Sequence, residues 1–221
     1  MKIFVEGGGD GKDLKTKCRQ GFSSFLQKAG FQGRMPAFVS CGGRQATFED
    51  FCYSLLIGED ALLLVDSEDA ISVSCQKGVA SKWLPWTHLK MRDGWDVKAE
   101  LVELARRHKI KKIPMASELL VHLMVRCTES WFLADREALA KFYGVGFNAG
   151  RLPSEKRPLE SIDKKSVYDG LAAATKDTKT KGKYGKGAHS FSILALIAPQ
   201  KVVDASPWAK RFVDYLDEVL D

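Results

Sequence analysis

Residues 61–70 read ALLLVDSEDA, five apolar residues in a row that run directly into Asp66, Ser67, Glu68 and Asp69. A continuous apolar run closed by acid is the pattern of a strand buried on both faces of a parallel sheet. Upstream the same kind of unit recurs. Ile3 to Val5 is a short buried-type strand, and Lys12 to Ala29 sets Leu14, Cys18, Phe22, Phe25 and Leu26 at helical spacings before Gly30. Pro36 to Cys41 predicts a second strand, Gly42-Gly43 a turn, and Gln45 to Ile57 a helix stopped by Gly58. Three strands alternating with two helices imply a doubly wound α/β core whose ligand site lies at the carboxyl ends of the strands.

Downstream the signal weakens from about residue 70 to 117, where KWLPWTHLKMRDGW is rich in Trp, Pro and Gly and only VKAELVELARRHK forms a clean amphipathic helix. This stretch is read as a helical insertion. LLVHLMVRC predicts a fourth strand, and TESWFLADREALAKFYG a single helix with Thr128 as cap and Gly144 as stop. SFSILALI and PWAKRFVDYLDEVL predict two further helices, the latter with Ser206 and Pro207 as cap and first turn. The expected organisation is a metal-binding core over 1–150 and a basic loop with C-terminal helices over 151–221, packed on that core.

With 221 residues, 45% hydrophobic and 28% charged, the chain can bury a sizeable core. Nothing approaches a membrane span or a signal peptide, so a cytoplasmic protein without membrane contact is expected. Five cysteines, at 18, 41, 52, 75 and 127, contain no C-x-x-C pair and predict packed thiols rather than a disulfide framework or zinc site. The histidines at 88, 108, 122 and 189 show no ligand spacing. The net charge of +6 is concentrated: residues 151–190 carry ten Lys or Arg against five acids. Such a segment is either a phosphate-contacting surface or a solvated lysine-rich loop. Its glycines 182, 185 and 187 predict a flexible one.

The first strand runs into VEGGGDGKD, where glycines suggest a phosphate cradle but Glu6 would repel a phosphate. A P-loop ending at Gly11-Lys12 would need glycine where Glu6 stands and a hydroxyl where Asp13 stands. A dinucleotide fingerprint started at Gly7 and Gly9 would place its third glycine on Lys12. Both readings fail. A metal ion between protein and phosphate suits a strand-end carboxylate beside glycines that permit close approach, and Gly7, Gly8 and Gly9 are the candidate binding loop. If strand geometry continues past Asp66, Asp66 and Glu68 point the same way and Asp69 elsewhere. With the first and third strands side by side, Glu6, Asp66 and Glu68 would offer three oxygen donors to Mg²⁺ or Mn²⁺. Glu129, in the first turn after the fourth strand, lies at the same sheet edge, where acids also simply favour a helix dipole.

VEGGGD, LLLVDSED, HLMVRCTESWFLADREALAKFYG and YGKGAHSFSILALI together resemble a bacterial Toprim-like family of unknown function (DUF 4276), related to the overcoming-lysogenization-defect type nucleases. The resemblance spans nearly the whole chain. It implies a Toprim-like, Rossmann-like fold in which Glu6 matches the strand-end Glu and Asp66 with Glu68 match the D-x-D pair, with Glu in place of the second Asp. Glu129 sits where related proteins add a metal-binding Glu. It further implies a defence context with a separately encoded ATPase as partner.

The leading expectation is a Mg²⁺- or Mn²⁺-dependent nuclease with Glu6 as general base or acid, Asp66 and Glu68 as ligands and Glu129 as auxiliary ligand. Lys183 and Lys186 would steady the nucleic-acid backbone or the transition state. The alternatives are a non-catalytic subunit that binds a nucleotide or nucleic-acid end and signals to a partner, and metal-dependent phosphoryl transfer on a small nucleotide.

Overall fold

The computed structural model describes residues 1–9 and 11–221. Its centre is a four-stranded, wholly parallel sheet in the order β2-β1-β3-β4, with β1 at Lys2–Glu6, β2 at Ala37–Gly42, β3 at Ala61–Asp66 and β4 at Val121–Met124. Every residue of β3 and β4 is buried, which accounts for the unbroken apolar run of β3 and for a β4 that is apolar apart from His122. The chain passes from β1 outward to β2, returns across β1 to β3 and continues to β4. The direction of winding therefore reverses between β1 and β3, and a crevice opens there at the carboxyl ends. Helices cover both faces, as the alternation of strand and helix patterns predicts.

On one face Ile3, Val5, Leu62, Leu64 and Met124 pack under α1 (Lys12–Leu26) and the C-terminal helices. On the other, Phe4, Leu63, Val65, Val121 and Leu123 meet α2 (Arg44–Leu56), α3 (Pro85–Asp93) and α4 (Val97–His108). The tryptophans of the middle segment serve this second core: Trp95 stacks on Phe48 with ring centroids 4.5 Å apart, and Trp86 meets both Phe48 and Phe51. Asp96 caps α4 by accepting from the Ala99 N–H.

The helix expected over 128–144 is two helices, α5 (Thr128–Phe132) and α6 (Arg136–Tyr143). Asp135 breaks the run because its carboxylate caps α6 through the Ala138 N–H and also takes the Ala198 N–H and the Lys201 ammonium. Thr128 is the first residue of α5 rather than its cap, and its hydroxyl is directed elsewhere, as described below. The fourth strand is shorter than the apolar stretch that predicts it.

Past residue 150 the structure adds α7 (Lys164–Ala174) inside the basic stretch, then α8 (Ser190–Leu194), α9 (Pro199–Ala205) and α10 (Pro207–Leu220). Their apolar residues Val167, Leu171, Ile193, Leu194, Val202, Phe212 and Leu216 join the same core as Ile3 and Val5. The run SFSILALI is helical only to Leu194. Helices α1 and α8 cross closely because position 21 is glycine: a Cβ there would lie 2.8 Å from the Phe191 carbonyl oxygen. All five cysteines are free thiols, and Cys18, Cys52, Cys75 and Cys127 are buried. Among the described residues no helix is long and apolar enough to cross a membrane.

Candidate metal centre

At the end of β1 the register against β2 slips by one residue, so that Val5 faces Ser40 while Glu6 faces Gly42. Such a bulge re-aims the side chain that follows it. Glu6 Oε1 accepts the Asp66 N–H at 3.1 Å, which joins the ends of β1 and β3. Asp66 closes β3 and is only 4% exposed. Its Oδ1 accepts both the backbone N–H and the hydroxyl of Thr128, at 2.8 and 3.0 Å.

Glu68 arrives by a different route from the one strand alternation predicts. The strand ends at Asp66, and Glu68 adopts a left-handed conformation with φ 65°, uncommon for a residue with a side chain. Its N–H is held by the Arg126 carbonyl at 2.8 Å, and the intervening Ser67 N–H by that of Met124 at 3.0 Å. The buried His88 ring supports the Ser67 carbonyl from behind at 2.9 Å. The result is convergence: one oxygen each from Glu6, Asp66 and Glu68 lie within 4.8 Å of one another.

Two cations stand among these acids. Arg44, the first residue of α2, donates from Nη1 to Glu6 Oε2 at 2.9 Å and to the Asp66 carbonyl at 2.7 Å, while its other nitrogens grip Asp93. Its guanidinium also lies 4.9 Å from the centre of the Trp95 ring. Burial opposes its charge, but the Asp93 and Glu6 carboxylates outweigh burial and hold it more firmly protonated than a free arginine. Lys164, the first residue of α7, places Nζ 2.5 Å from Glu68 Oε2 and 3.9 Å from Asp66 Oδ2. Here too burial works against the charge, and the contacts with Glu68 and Asp66 more than offset it. Arg92 adds a third cation at the outer side, 3.8 Å from Glu68 and 3.2 Å from Asp69.

Asp66 carries the electrostatic tension of the site. Burial, then the charges of Glu6, Glu129 and Glu68, push its carboxyl well above the usual range, with Lys164 pulling the other way. Its Oδ2 accepts no hydrogen bond among the described residues, although the side chain is almost wholly buried and lines the crevice. A carboxylate oxygen without a partner, reached from the crevice on a side chain otherwise buried among acids, fits a hard divalent cation, which takes oxygen ligands of this kind. The donor set of three carboxylates therefore suits Mg²⁺ or Mn²⁺, with Lys164 and Arg44 holding part of that charge in its place.

The crevice in front of the carboxylates encloses about 390 Å³ and is walled by Gly7, Gly8 and Gly9, Gly42, Leu14, Phe191, Glu129 and Lys186. The glycine loop packs against β2 and α1. The Gly7 N–H is spent on Gly42, the Gly7 carbonyl accepts from the Ser40 hydroxyl, and a Cβ on Gly8 would fall 2.8 Å from the Lys15 Cα. Lys186 is exposed at the rim, its ammonium 5.5 Å from the Tyr168 ring centre. Lys183 is exposed and does not line the crevice.

Glu129 borders the crevice but lies outside the group of three converging carboxylates. It is 2% exposed and satisfied by three hydroxyls: Tyr168 on Oε2, Tyr184 and Ser190 on Oε1. Arg44, Lys164 and Thr128 are participants that pattern reading does not reveal. A signal exists for Arg44, since a cation opening the helix after a parallel strand must stand at the same edge as the strand-end acids. None exists for Lys164, which reaches the site from about 100 residues downstream of Asp66 through tertiary packing.

Residues 5–217 match a protein family described as "Domain of unknown function (DUF4276)". No curated protein and no solved structure matches the chain.

Proposed function

The chain belongs to the DUF4276 family, which is defined without an activity, and from the chemistry of its crevice we propose that it is a Mg²⁺- or Mn²⁺-dependent phosphodiesterase acting on nucleic acid. One observation carries the reading: Asp66, a side chain almost wholly buried, keeps Oδ2 without a hydrogen-bond partner among the described residues at the crevice beside Glu6 and Glu68. Asp66, Glu68 and Glu6 would hold the ion. A divalent cation there would supply charge neutralisation at the scissile phosphate and a bound water more acidic than bulk water.

The chain's own side chains do the rest. Thr128 fixes the orientation of Asp66 by filling Oδ1, which leaves Oδ2 turned to the crevice. Arg44 takes one Glu6 oxygen and the Asp66 N–H takes the other, so Glu6 acts as an oriented anion rather than a free base. Glu129 positions the opposite wall through its hydroxyl donors, and Lys186 at the rim contacts a backbone phosphate oxygen. The Toprim relationship, a separately encoded ATPase as partner and a place in antiviral defence belong to the same proposal and rest on the family resemblance.

A second reading is favoured by Arg44 and Lys164, which neutralise the acids as they stand: a non-catalytic subunit that binds nucleotide or nucleic-acid ends. End-labelled DNA and RNA, single- and double-stranded, incubated with Mn²⁺, Mg²⁺ or EDTA, separate the two. Cleavage that requires metal and falls by about a hundredfold or more in Asp66→Asn supports the enzyme. Binding without cleavage, unaltered in Asp66→Asn, supports the subunit and ends the phosphodiesterase reading.

A further inference from the structure

Lys164 does something that neither a surface lysine nor a simple helix-opening residue does. Its ammonium reaches two of the three converging carboxylates, 2.5 Å from Glu68 Oε2 and 3.9 Å from Asp66 Oδ2. Its immediate neighbour Lys165 points outward and pairs with Asp169 on the exposed side of α7. Asp163 fixes the start of the helix by accepting both the N–H and the hydroxyl of Ser166, at 2.8 and 2.7 Å. The helix is thereby anchored independently of Lys164, whose four-carbon stem is free to carry its charge in or out.

Resting on the reading of the crevice as a metal site, we infer that Lys164 is a resident counter-cation that competes with the divalent ion for Asp66 and Glu68. An oxygen lone pair that accepts from an ammonium is not available to a metal, and two cations a few ångströms apart in a half-buried site repel strongly. Loading the ion therefore displaces the Lys164 ammonium from Glu68 and Asp66. Glu68 also faces Arg92, 3.8 Å away, and Asp66 also faces Thr128, so each carboxylate keeps one neighbour when the lysine leaves. Lys164 thus holds the acids together without metal and sets how tightly metal binds.

The test is calorimetric titration of Mn²⁺ alone into wild type, Lys164→Met, Lys164→Gln, Lys165→Met and Asp66→Asn, with circular dichroism to verify each fold. Both Lys164 variants are expected to bind Mn²⁺ about tenfold tighter or more, because the competing charge is gone. Lys165→Met, which loses the same net charge at an exposed position, is expected to stay within about twofold of wild type. Unchanged or weaker binding in the Lys164 variants, or equal tightening in Lys165→Met, overturns the inference. If wild type binds Mn²⁺ through Asp66 and the Lys164 variants match it, the inference alone falls. If neither wild type nor the Lys164 variants bind Mn²⁺, the metal-site reading falls and takes the inference with it. Should neither uncharged variant fold, Lys164→Arg decides: a guanidinium able to hold both carboxylates weakens Mn²⁺ binding severalfold, and unchanged affinity overturns the inference.

Discussion

The Tyr184 hydroxyl donates to Glu129 Oε1 across 2.9 Å, and both side chains are buried. One partner comes from the lysine- and glycine-rich segment and the other from α5, at the carboxyl edge of the sheet. The Tyr184 N–H is itself held by the Thr175 hydroxyl at 2.7 Å, and Thr178 closes the loop on the Gly182 carbonyl. A segment whose composition predicts flexibility is therefore fastened at its middle to the wall of the crevice.

Tyr184→Phe removes one of three donors from a buried carboxylate. A loss of about 1–3 kcal/mol is expected, as for a buried charged acceptor left short of a partner. Glu129→Leu strands two tyrosines and a serine and should cost more than Glu129→Gln, which keeps an acceptor oxygen. Urea unfolding of the three variants gives the order; equal stability of the Leu and Gln variants would contradict it.

Asp66 predicts a pH dependence with a definite sign. Burial and the neighbouring acids raise its carboxyl in the folded chain above the unfolded value. The corresponding stability is fully present below the unfolded pKa of about 3.9 and is lost as pH rises through the folded pKa. In EDTA, Asp66→Asn is therefore expected to be more stable than wild type at pH 8, on the order of 1 kcal/mol, with the difference shrinking toward pH 4. Added Mn²⁺ should raise the Tm of wild type and not of the variant. Thermal melts across that pH range measure both.

Arg44 grips Glu6, Asp93 and the Asp66 carbonyl and stacks on Trp95, a set of contacts only a planar fork makes at once. Arg44→Lys is expected to cost about 1–3 kcal/mol, and Arg44→Ala about 3–5 kcal/mol because it leaves Glu6 without its cation and Asp93 with Arg92 alone. Equal stability of Arg44→Lys and wild type in chemical denaturation would show that the fork geometry is dispensable.

The basic segment can be probed by salt. Lys179, Lys181 and Lys183 are exposed, and none takes part in an ion pair among the described residues. If they meet a nucleic-acid backbone, their joint replacement by Gln should lower the slope of log K against log salt by roughly 0.9 for each duplex phosphate they no longer neutralise. Fluorescence anisotropy of a short duplex across a salt series checks it. Parallel lines for wild type and the triple variant would make the segment a solvated loop.

The sheet was legible because its first three strands carry short apolar runs, broken only by Ser40 in β2, and these runs alternate with helix-period segments. The meeting of Glu6 with Asp66 follows once β1 and β3 lie side by side. Glu68 reaches them through a left-handed turn and the backbone of the residues after β4, which period-two reasoning does not anticipate. The break at Asp135 was hidden because both of its flanks carry helix-period residues, and the capping partners lie in a different part of the chain. Helix α7 was hidden by its composition: lysines and small residues read as loop until Val167 and Leu171 find the core. Cations such as Arg44 and Lys164 are ordinary surface residues by sequence and become part of a site only through tertiary placement.

The close crossing of α1 and α8 at Gly21 bears on which molecules the site can admit. Phe191, whose carbonyl and Cα approach Gly21, also presents its ring to Gly7 and to the crevice. The clearance open to an entering molecule thus depends on an uncharged helix contact behind the wall. A single methyl group at position 21 would press on the Phe191 backbone and so shift both the ring at the crevice and the neighbouring Ser190 hydroxyl that Glu129 accepts. The width of the entrance and the hydroxyl set around Glu129 are therefore joined through one helix crossing, so that a change in packing at position 21 would be felt at both.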